Sequence, residues 1–90
     1  MVGFMQNFNE EEIPMEVRIE YCTSWNYKPR AASLADALKE KYGAEVDKVD
    51  LIPGSGGAFE VSLNGTLLYS KLETRQFPTT EQITTAIDAV

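Results

Sequence analysis

The chain has 90 residues, of which 43% are hydrophobic and 24% are charged, a composition typical of one folded domain. Its 14 acidic residues outnumber its 8 basic ones, and the resulting net charge of -6 argues against a nucleic-acid partner. With no histidine and a single cysteine, the chain has no internal disulfide, no zinc site of the Cys/His type and no catalytic arrangement that needs histidine.

The first fourteen residues are predicted to be a tail or extension. They show no hydrophobic period, they contain the acidic run Glu10-Glu11-Glu12, and Pro14 closes them. Met15 directly precedes the first strand, so the native start is either Met1 or Met15. The predicted organisation is a tail over residues 1–14 and a single domain over residues 15–90.

The chain contains no apolar run near the ~20 residues that span a bilayer, and no basic segment followed by an apolar stretch opens it. We therefore predict a cytoplasmic protein with no membrane association. We also predict no bound metal or cofactor, because no convergent set of ligands is recognisable in the sequence.

A strand and a helix are predicted on either side of the cysteine. Val17–Tyr21 alternates apolar and charged side chains, which predicts a half-buried strand. Arg30–Tyr42 has helical spacing, with Pro29 suited to the first turn and Gly43 to the end. The expected buried stripe of this helix consists of Ala31, Leu34, Ala35, Leu38 and Tyr42.

Three further strands are predicted downstream. Glu45–Ile52 is highly charged, which suits the edge of a sheet, and Pro53–Gly57 is expected to be an irregular loop. Phe59–Leu63 and Thr66–Lys71 are predicted to form a hairpin around Asn64-Gly65, the preferred two-residue turn.

The last element is predicted to be a second helix. After a connection over Glu73–Pro78, Thr79 and Gln82 have the spacing of a capping box. The expected apolar stripe comprises Ile83, Ala86, Ile87 and Val90.

The order of elements is therefore strand, helix, strand, strand, strand, helix (βαβββα). A right-handed parallel crossover followed by a hairpin gives the sheet order 2-1-3-4. Because the first and third strands each have one polar face, both helices should cover the other face. The polar face is expected to hold Arg18, Glu20, Glu60 and Ser62 near enough for cross-strand pairs. The predicted fold is a two-layer α/β sandwich.

Cys22 is predicted at the carboxyl end of the first strand, just before the first helix. The partial positive charge of a helix N-terminus, together with Lys28 and Arg30, favours a thiolate there. In a Cys-x-x-Cys site the first thiolate attacks and the second sulfur resolves the mixed disulfide, but here Trp25 takes the second position. The alternative is that Cys22 is a small apolar side chain completing the strand.

The segment Tyr21-Cys22, followed by Tyr27-Lys28-Pro29-Arg30, resembles the active-site segment of selenoprotein W. Gly56–Val61, the Asn64-Gly65 turn, Ser70-Lys71-Leu72-Glu73 and Phe77-Pro78 also resemble that family, selenoprotein W/T/H or Rdx, and the likeness covers residues 17–90. The resemblance implies a thioredoxin-like fold and redox activity through Cys-x-x-selenocysteine or Cys-x-x-Cys. It places Cys22 and the residue at position 25 in the catalytic pair, with glutathione or protein thiols as co-substrates and peroxide as an oxidant.

Two positions depart from the family pattern. Trp25 stands in the place of the selenocysteine or cysteine, and Asn26 in the place of a glycine. An indole cannot form a disulfide, so the two-site redox cycle is expected to be impaired and enzymatic activity stays an open question. Either Trp25 replaces a natural selenocysteine, or the chain is a natural variant with one active thiol. The alternative function is a non-enzymatic module that binds a protein partner through the Cys22/Trp25 loop.

The glycine-rich stretch before the third strand is expected to be a flexible turn rather than a phosphate-binding loop, because no Lys-Ser/Thr pair and no helix follow it. Gly56 and Gly57 are expected to let the backbone approach Cys22 closely.

Overall fold

The computed structural model describes residues 15–90, and the predicted tail with its acidic run lies outside the described residues. The described elements are β1 (Met15–Cys22), α1 (Lys28–Tyr42), a 3-10 turn (Gly43–Glu45), β2 (Val46–Gly54), β3 (Phe59–Leu63), β4 (Thr66–Ser70), α2 (Lys71–Thr74) and α3 (Thr80–Asp88).

The four strands form one sheet in the order β2-β1-β3-β4, which confirms the predicted topology. β1 runs parallel to β2 and antiparallel to β3, and β4 completes the hairpin with β3. The side chains of β1 alternate between the two faces of the sheet. Val17, Ile19 and Tyr21 are buried on one face, and Arg18 and Glu20 are exposed on the other.

The long helices α1 and α3 pack on the buried face, which confirms the two-layer arrangement. A hydrophobic core lies between the sheet and these helices. The alternating apolar side chains of the central strands β1 and β3 form its sheet side, and the apolar stripes of the two helices form its helix side. The core consists of Val17, Ile19, Tyr21, Ala31, Leu34, Ala35, Leu38, Phe59, Val61, Leu63, Ile83 and Ile87.

Helix α1 begins at Lys28, two residues before the predicted start, with Tyr27 as its N-cap and Pro29 in its first turn. It ends at Gly43, whose φ of 56° lies in the left-handed region that favours glycine. Four residues of the predicted stripe are buried, and Tyr42 is half-buried.

Strand β2 extends through Pro53 to Gly54, so the prediction of an irregular loop from Pro53 onwards is wrong. Pro53 lies opposite Tyr21 in the parallel pair with β1. A proline is tolerated there because β2 is the edge strand and needs hydrogen bonds on one side only.

The β3–β4 hairpin forms at the predicted turn. Asn64 and Gly65 both have positive φ, 49° and 88°, as a tight hairpin turn of this type requires. The turn is also tied to the start of β1, because the Asn64 side chain accepts a hydrogen bond from the Glu16 amide at 2.8 Å.

Strand β4 ends at Ser70, one residue before the predicted end, and the predicted connection contains the short helix α2. The Ser70 hydroxyl caps this helix by accepting a hydrogen bond from the Glu73 amide at 3.2 Å. The Tyr69 hydroxyl contacts Thr74 Oγ1 and donates to the Gln76 carbonyl, both at 2.9 Å, which holds the segment against β4.

Helix α3 has the predicted capping box: Thr79 Oγ1 accepts from the Gln82 amide, and Gln82 Oε1 accepts from the Thr79 amide. Ile83 and Ile87 are buried as expected. The prediction that Val90 joins the stripe is wrong, because the helix ends at Asp88 and Val90 is 81% exposed.

Candidate functional site

Cys22 is the last residue of β1 and lies between β2 and the start of β3. It pairs in register with Gly54, and its amide donates to the Ala58 carbonyl at 2.9 Å. The residue is 0% exposed. The predicted place at the end of the strand is therefore found, with its side chain covered by the surrounding chain.

The loop that follows, Thr23–Asn26, is exposed along its whole length. Trp25 is 66% exposed, which makes it one of the most exposed large apolar side chains in the described part of the chain. Asn26 has a φ of 59°, a left-handed conformation that asparagine adopts more readily than most residues. Asn26 thus keeps the loop in a shape that a glycine would adopt without strain.

An aromatic cluster lies where the loop meets α1. Tyr27 packs edge-on against Phe77, with ring centroids 4.7 Å apart, and Phe77 packs against Phe59 at 5.4 Å. The Arg30 guanidinium lies 4.1 Å from the centre of the Phe77 ring. Arg30, which the sequence suggested as a neighbour of the cysteine, is thus engaged with this cluster.

A groove of about 380 Å³ opens beside the loop, and we call it the Trp25 groove. It is lined by Trp25, Tyr27, Gly56, Gly57, Lys71, Leu72 and Arg75. The groove brings the Cys22/Trp25 loop together with the glycine-rich turn and with α2. Of the two site residues expected from the sequence, Trp25 lines this groove and Cys22 does not.

The residues that α2 contributes to the groove, Lys71, Leu72 and Arg75, were missed by the sequence analysis. A signal for them was present, because Ser70-Lys71-Leu72-Glu73 has the spacing of a helix cap. The sequence-based prediction instead assigns this segment to the end of the fourth strand and the start of the connection.

The glycine-rich turn works differently from the expectation. Gly56 and Gly57 have φ values of 70° and 81°, and a Cβ added to either would meet no atom within 4 Å. Glycine therefore occupies these two positions because their positive φ is strained for other residues, and not because the backbone must pass close to Cys22. The crowded glycine is Gly54, where an added Cβ would lie 2.7 Å from Glu20 Oε2.

A larger concavity of about 470 Å³ lies on the helix-free face of the sheet, near the start of β1. Its walls include Arg18, Lys48 and Asp50, so it carries both signs of charge. It lies at the end of β1 opposite to Cys22. Within residues 15–90, no group of three His, Cys, Asp or Glu side chains is placed to hold a metal ion, and no helix is long and apolar enough to cross a membrane.

Comparison with known proteins gives matches over this same region. The family model described as the Rdx family matches residues 16–89. Proteins named migration and invasion enhancer 1 from Bos taurus and Mus musculus are each 36% identical to the chain over 74 residues, which is 81% of this chain. The chain spans 62% of the length of these curated relatives.

Two crystal structures share the architecture. A protein from Bordetella parapertussis superposes with a TM-score of 0.82 at 31% sequence identity, covering 86% of this chain and 98% of that one. A selenoprotein W-related protein from Vibrio cholerae also superposes with a TM-score of 0.82, at 26% identity, covering 86% of this chain and 96% of that one. The fold derived from the strand order is therefore the thioredoxin-like fold of selenoprotein W-related proteins.

Proposed function

Because the chain belongs to the Rdx family of selenoprotein W-like proteins, we propose that it is a thiol redox protein that acts through Cys22. The observation that carries the proposal is the position of Cys22 at the carboxyl end of β1, immediately before the loop that leads into α1. A Cys-x-x-Cys segment at such a junction of a strand and a helix is a redox site, in which the first cysteine attacks the substrate.

The proposed reaction uses one sulfur from this chain. The Cys22 thiol loses its proton, and the thiolate attacks one sulfur of glutathione disulfide or of a protein disulfide. The Cys22–sulfur bond forms as the substrate disulfide breaks, and the other half leaves as a thiolate that takes up a proton. With a protein disulfide as the substrate, a glutathione thiolate then attacks the partner's sulfur in the mixed disulfide, which releases the Cys22 thiolate and leaves the partner glutathionylated. With glutathione disulfide, the glutathionylated Cys22 is the product, and excess thiol reverses it.

Peroxide is the second proposed oxidant. The Cys22 thiolate attacks the peroxide oxygen, the O–O bond breaks, and the sulfur becomes a sulfenic acid while the other oxygen leaves as water or alcohol. The sulfenic acid then condenses with glutathione, which releases water and gives the same mixed disulfide. Trp25 takes no part in either sequence, because its indole has no sulfur with which to resolve the intermediate.

The burial of Cys22 adds a requirement to both routes. With the residue 0% exposed, a disulfide or peroxide reaches the sulfur only when the surrounding chain opens. The exposed loop Thr23–Asn26 and the glycine turn before Ala58 are the segments whose movement would uncover it. The cytoplasm, where thiols are kept reduced, is the compartment we propose for a chain with one free cysteine.

Both routes take tryptophan as the native residue at position 25. The alternative is that this position is encoded for selenocysteine in the native gene, because the selenocysteine codon UGA is also read as tryptophan in some genetic codes or by near-cognate decoding. The nucleotide triplet for residue 25 decides between the two. A TGG triplet in the source gene supports tryptophan as the native residue, and a TGA triplet favours selenocysteine and a two-site cycle.

The redox proposal is tested by incubating the reduced, folded protein with glutathione disulfide and weighing the product by mass spectrometry. We expect one glutathionyl group per chain, removable by excess thiol, and none in the Cys22→Ser variant. The urea-unfolded wild type serves as the control for intrinsic thiol reactivity. If only the unfolded protein is modified, Cys22 is an inert core side chain and the redox proposal fails.

A second function, a protein-interaction module, is favoured by one observation. Trp25 and Leu72 are 66% and 53% exposed, and both line the Trp25 groove. Large apolar side chains that share one exposed concavity are typical of surfaces that bind a partner. This function does not need a reactive sulfur, so an inert Cys22 would leave it as the better interpretation.

A further inference from the structure

The Trp25 groove combines an apolar rim with a local positive charge. Trp25 and Leu72 supply the apolar part. Lys71 and Arg75 supply the charge, and no aspartate or glutamate is among the lining residues. In a chain with a net charge of -6, this makes the groove a basic site on an acidic protein.

Neither cation forms an ion pair within the described chain. The ion pairs found in residues 15–90 join Lys41 to Asp88 and Lys48 to Asp50, and neither involves the groove. Glu60 reaches the same segment, but its Oε2 accepts hydrogen bonds from the amides of Phe59 and Leu72, each at 3.3 Å. That carboxylate is therefore hydrogen-bonded to backbone amides, one of which belongs to the groove residue Leu72.

The aromatic cluster holds Lys71 in place. Its ammonium lies 5.3 Å from the centre of the Tyr27 ring and 5.1 Å from that of Phe77. The side chain is half-buried by these contacts, so it has lost part of its freedom before any ligand arrives. A ligand that pairs with it loses less conformational entropy on binding than one that pairs with a free surface lysine.

The turn that carries Arg75 is also fixed. Arg75 is the C-cap of α2 with a φ of 67°, and its amide donates to the Lys71 carbonyl at 2.6 Å. Thr74 Oγ1 lies 3.1 Å from both the Ser70 and the Gln76 carbonyl oxygens, and its single hydroxyl proton is shared between these two acceptors. The two cations and Leu72 thus project from one braced turn.

We propose that the Trp25 groove docks an acidic segment of a protein partner, which places an apolar side chain against Trp25 and Leu72 and carboxylates against Lys71 and Arg75. This rests on the proposed redox function in one respect: the docked segment is then the sequence surrounding the disulfide that Cys22 attacks. The substrates of Cys22 would be protein disulfides flanked by acidic and apolar residues.

The apolar rim favours a protein segment over free glutathione. Glutathione carries carboxylates that could meet the two cations, but it has no apolar side chain to cover an indole and a leucine. Burying both of those side chains removes apolar surface from water and therefore favours binding. A protein segment supplies both kinds of contact at once.

Docking can be measured directly because Trp25 is the only tryptophan in the chain. Its fluorescence is recorded during titration with a thiol-free peptide in which glutamates flank a phenylalanine-serine pair, and with the same peptide carrying lysines in place of the glutamates. We expect saturable binding of the acidic peptide, weakened by salt, and no binding of the basic one.

The groove variants are Lys71→Glu and Arg75→Glu, and the control is Lys39→Glu on an exposed part of α1. We expect each groove variant to weaken binding by about tenfold and the control by less than about twofold, as charge reversal inside and outside the contact predicts. Circular dichroism and thermal melting show whether each variant is folded, and Lys71→Gln gives a milder substitution if the reversal unfolds the chain.

Three results would overturn the proposal. The first is equal binding of the acidic and basic peptides, or wild-type affinity in both groove variants. The second is saturation of the same Trp25 signal by S-methylglutathione at lower concentration than the acidic peptide, which would make the groove a small-molecule site. The third is self-association that Lys71→Glu abolishes, which would make a second copy of the chain the occupant.

The same titration on Cys22→Ser separates this proposal from the redox one. The peptide carries no thiol, so docking is expected to be unchanged in that variant. Docking without glutathionylation of the wild type would contradict the redox proposal alone, and glutathionylation without docking would contradict this one alone.

Discussion

Cys22 and Trp25 are three residues apart, yet Cys22 is 0% exposed and Trp25 is 66% exposed. The difference arises because β1 ends inside the sheet, between Gly54 and Ala58, while the following loop turns outward. In the Cys-x-x-Cys or Cys-x-x-selenocysteine site of the family, the second sulfur or selenium belongs to position 25. In this fold, that atom would approach the covered Cys22 sulfur from the solvent side.

The variant Trp25→Cys is expected to gain reversible oxidation. The strand-loop-helix junction places positions 22 and 25 in the spacing of a Cys-x-x-Cys site, which supports a disulfide between them. Counting free thiols with a chromogenic reagent should give none in the oxidised monomer and two after reduction.

Ser24→Cys is the matched control, since it adds an exposed thiol one residue too early for the motif. It should retain two thiols under the same mild oxidant or form a disulfide between chains. A Trp25→Cys protein that oxidises only to a dimer would count against the redox assignment as a whole.

Asn26→Gly is expected to raise the free energy of unfolding by up to about 1 kcal/mol. Asn26 has a φ of 59°, where a side chain is strained and glycine is not. Chemical denaturation measures the difference. Ser24→Gly is the control, because Ser24 lacks a positive φ and the substitution should lower stability there by increasing the entropy of the unfolded chain. Equal effects at both positions would contradict the explanation.

Gly54 and Glu20 are expected to be coupled. An alanine Cβ at position 54 would lie 2.8 Å from Glu20 Cγ, so Gly54→Ala forces the glutamate side chain to move. Because Glu20 is exposed and can change rotamer, we expect a destabilisation of up to about 1 kcal/mol in the wild-type background. In a Glu20→Ala background the clash is gone, and the same substitution should be neutral or stabilising by about 0.4–1 kcal/mol.

A double-mutant cycle by urea denaturation provides the measurement. Glu20 also lies directly opposite Glu60 in the β1–β3 pair, and like charges at opposed positions destabilise a sheet. Glu20→Gln, which keeps the shape of the side chain, should therefore be slightly stabilising by itself. Additive effects of Gly54→Ala and Glu20→Ala would show that no clash couples them.

The features that the sequence predicted well are those with a local cause. The alternation of Val17 and Ile19 with Arg18 depends on the period of a strand alone, and the Asn64-Gly65 turn depends on two residues that tolerate positive φ. The capping box at Thr79 likewise needs only residues within one turn. Each of these could be recognised without knowing what lies across the sheet.

The features that escaped prediction depend on distant partners. β2 continues through Pro53 because Tyr21 of β1 pairs with it. The hydrogen bond from the Cys22 amide to the Ala58 carbonyl joins the end of β1 to the far side of the glycine turn. The Trp25 groove exists because the sheet brings the first loop beside Lys71. Composition and periodicity contain no information about these approaches, which are set by register and by packing.

The cross-strand pairs expected on the polar face are present, because Arg18 lies opposite Ser62 and Glu20 lies opposite Glu60. The sequence alone did not show that the second pair would join two like charges. The period of the strand determines which side chains share a face, and the register determines which of them oppose one another. The register is set by the turn and by core packing. It can therefore place two like charges opposite each other on the helix-free face of the sheet, as it does for Glu20 and Glu60.

Tyr42 and Asp88 join the ends of the two long helices. The Tyr42 hydroxyl donates to Asp88 Oδ1 at 2.8 Å, and Lys41 Nζ lies 3.4 Å from Asp88 Oδ2. Burial and this hydrogen bond raise the pKa of Tyr42 to about 12, from its ordinary value of 10.0. The same hydrogen bond, assisted by Lys41, lowers the pKa of Asp88.

These shifts predict how the contact depends on pH. Because the folded pKa of Tyr42 lies above the unfolded one, its contribution to stability is complete below pH ~10 and is lost as the pH rises towards 12. For Asp88 the folded pKa is the lower one, so its contribution is present above its ordinary pKa of 3.8 and is lost as the pH falls through the folded pKa.

Urea denaturation of wild type and Tyr42→Phe across this pH range isolates the contact, since other titrating groups cancel in the difference. We expect the wild type to be the more stable protein near neutral pH, because the Tyr42 hydroxyl donates to a charged acceptor. The advantage should shrink above pH ~10 as the hydroxyl ionises beside the carboxylate. Asp88→Asn, which keeps an acceptor but removes the charge, should keep its stability at more alkaline pH than the wild type. A wild-type advantage that is equally large at neutral and strongly alkaline pH would contradict this account of the contact.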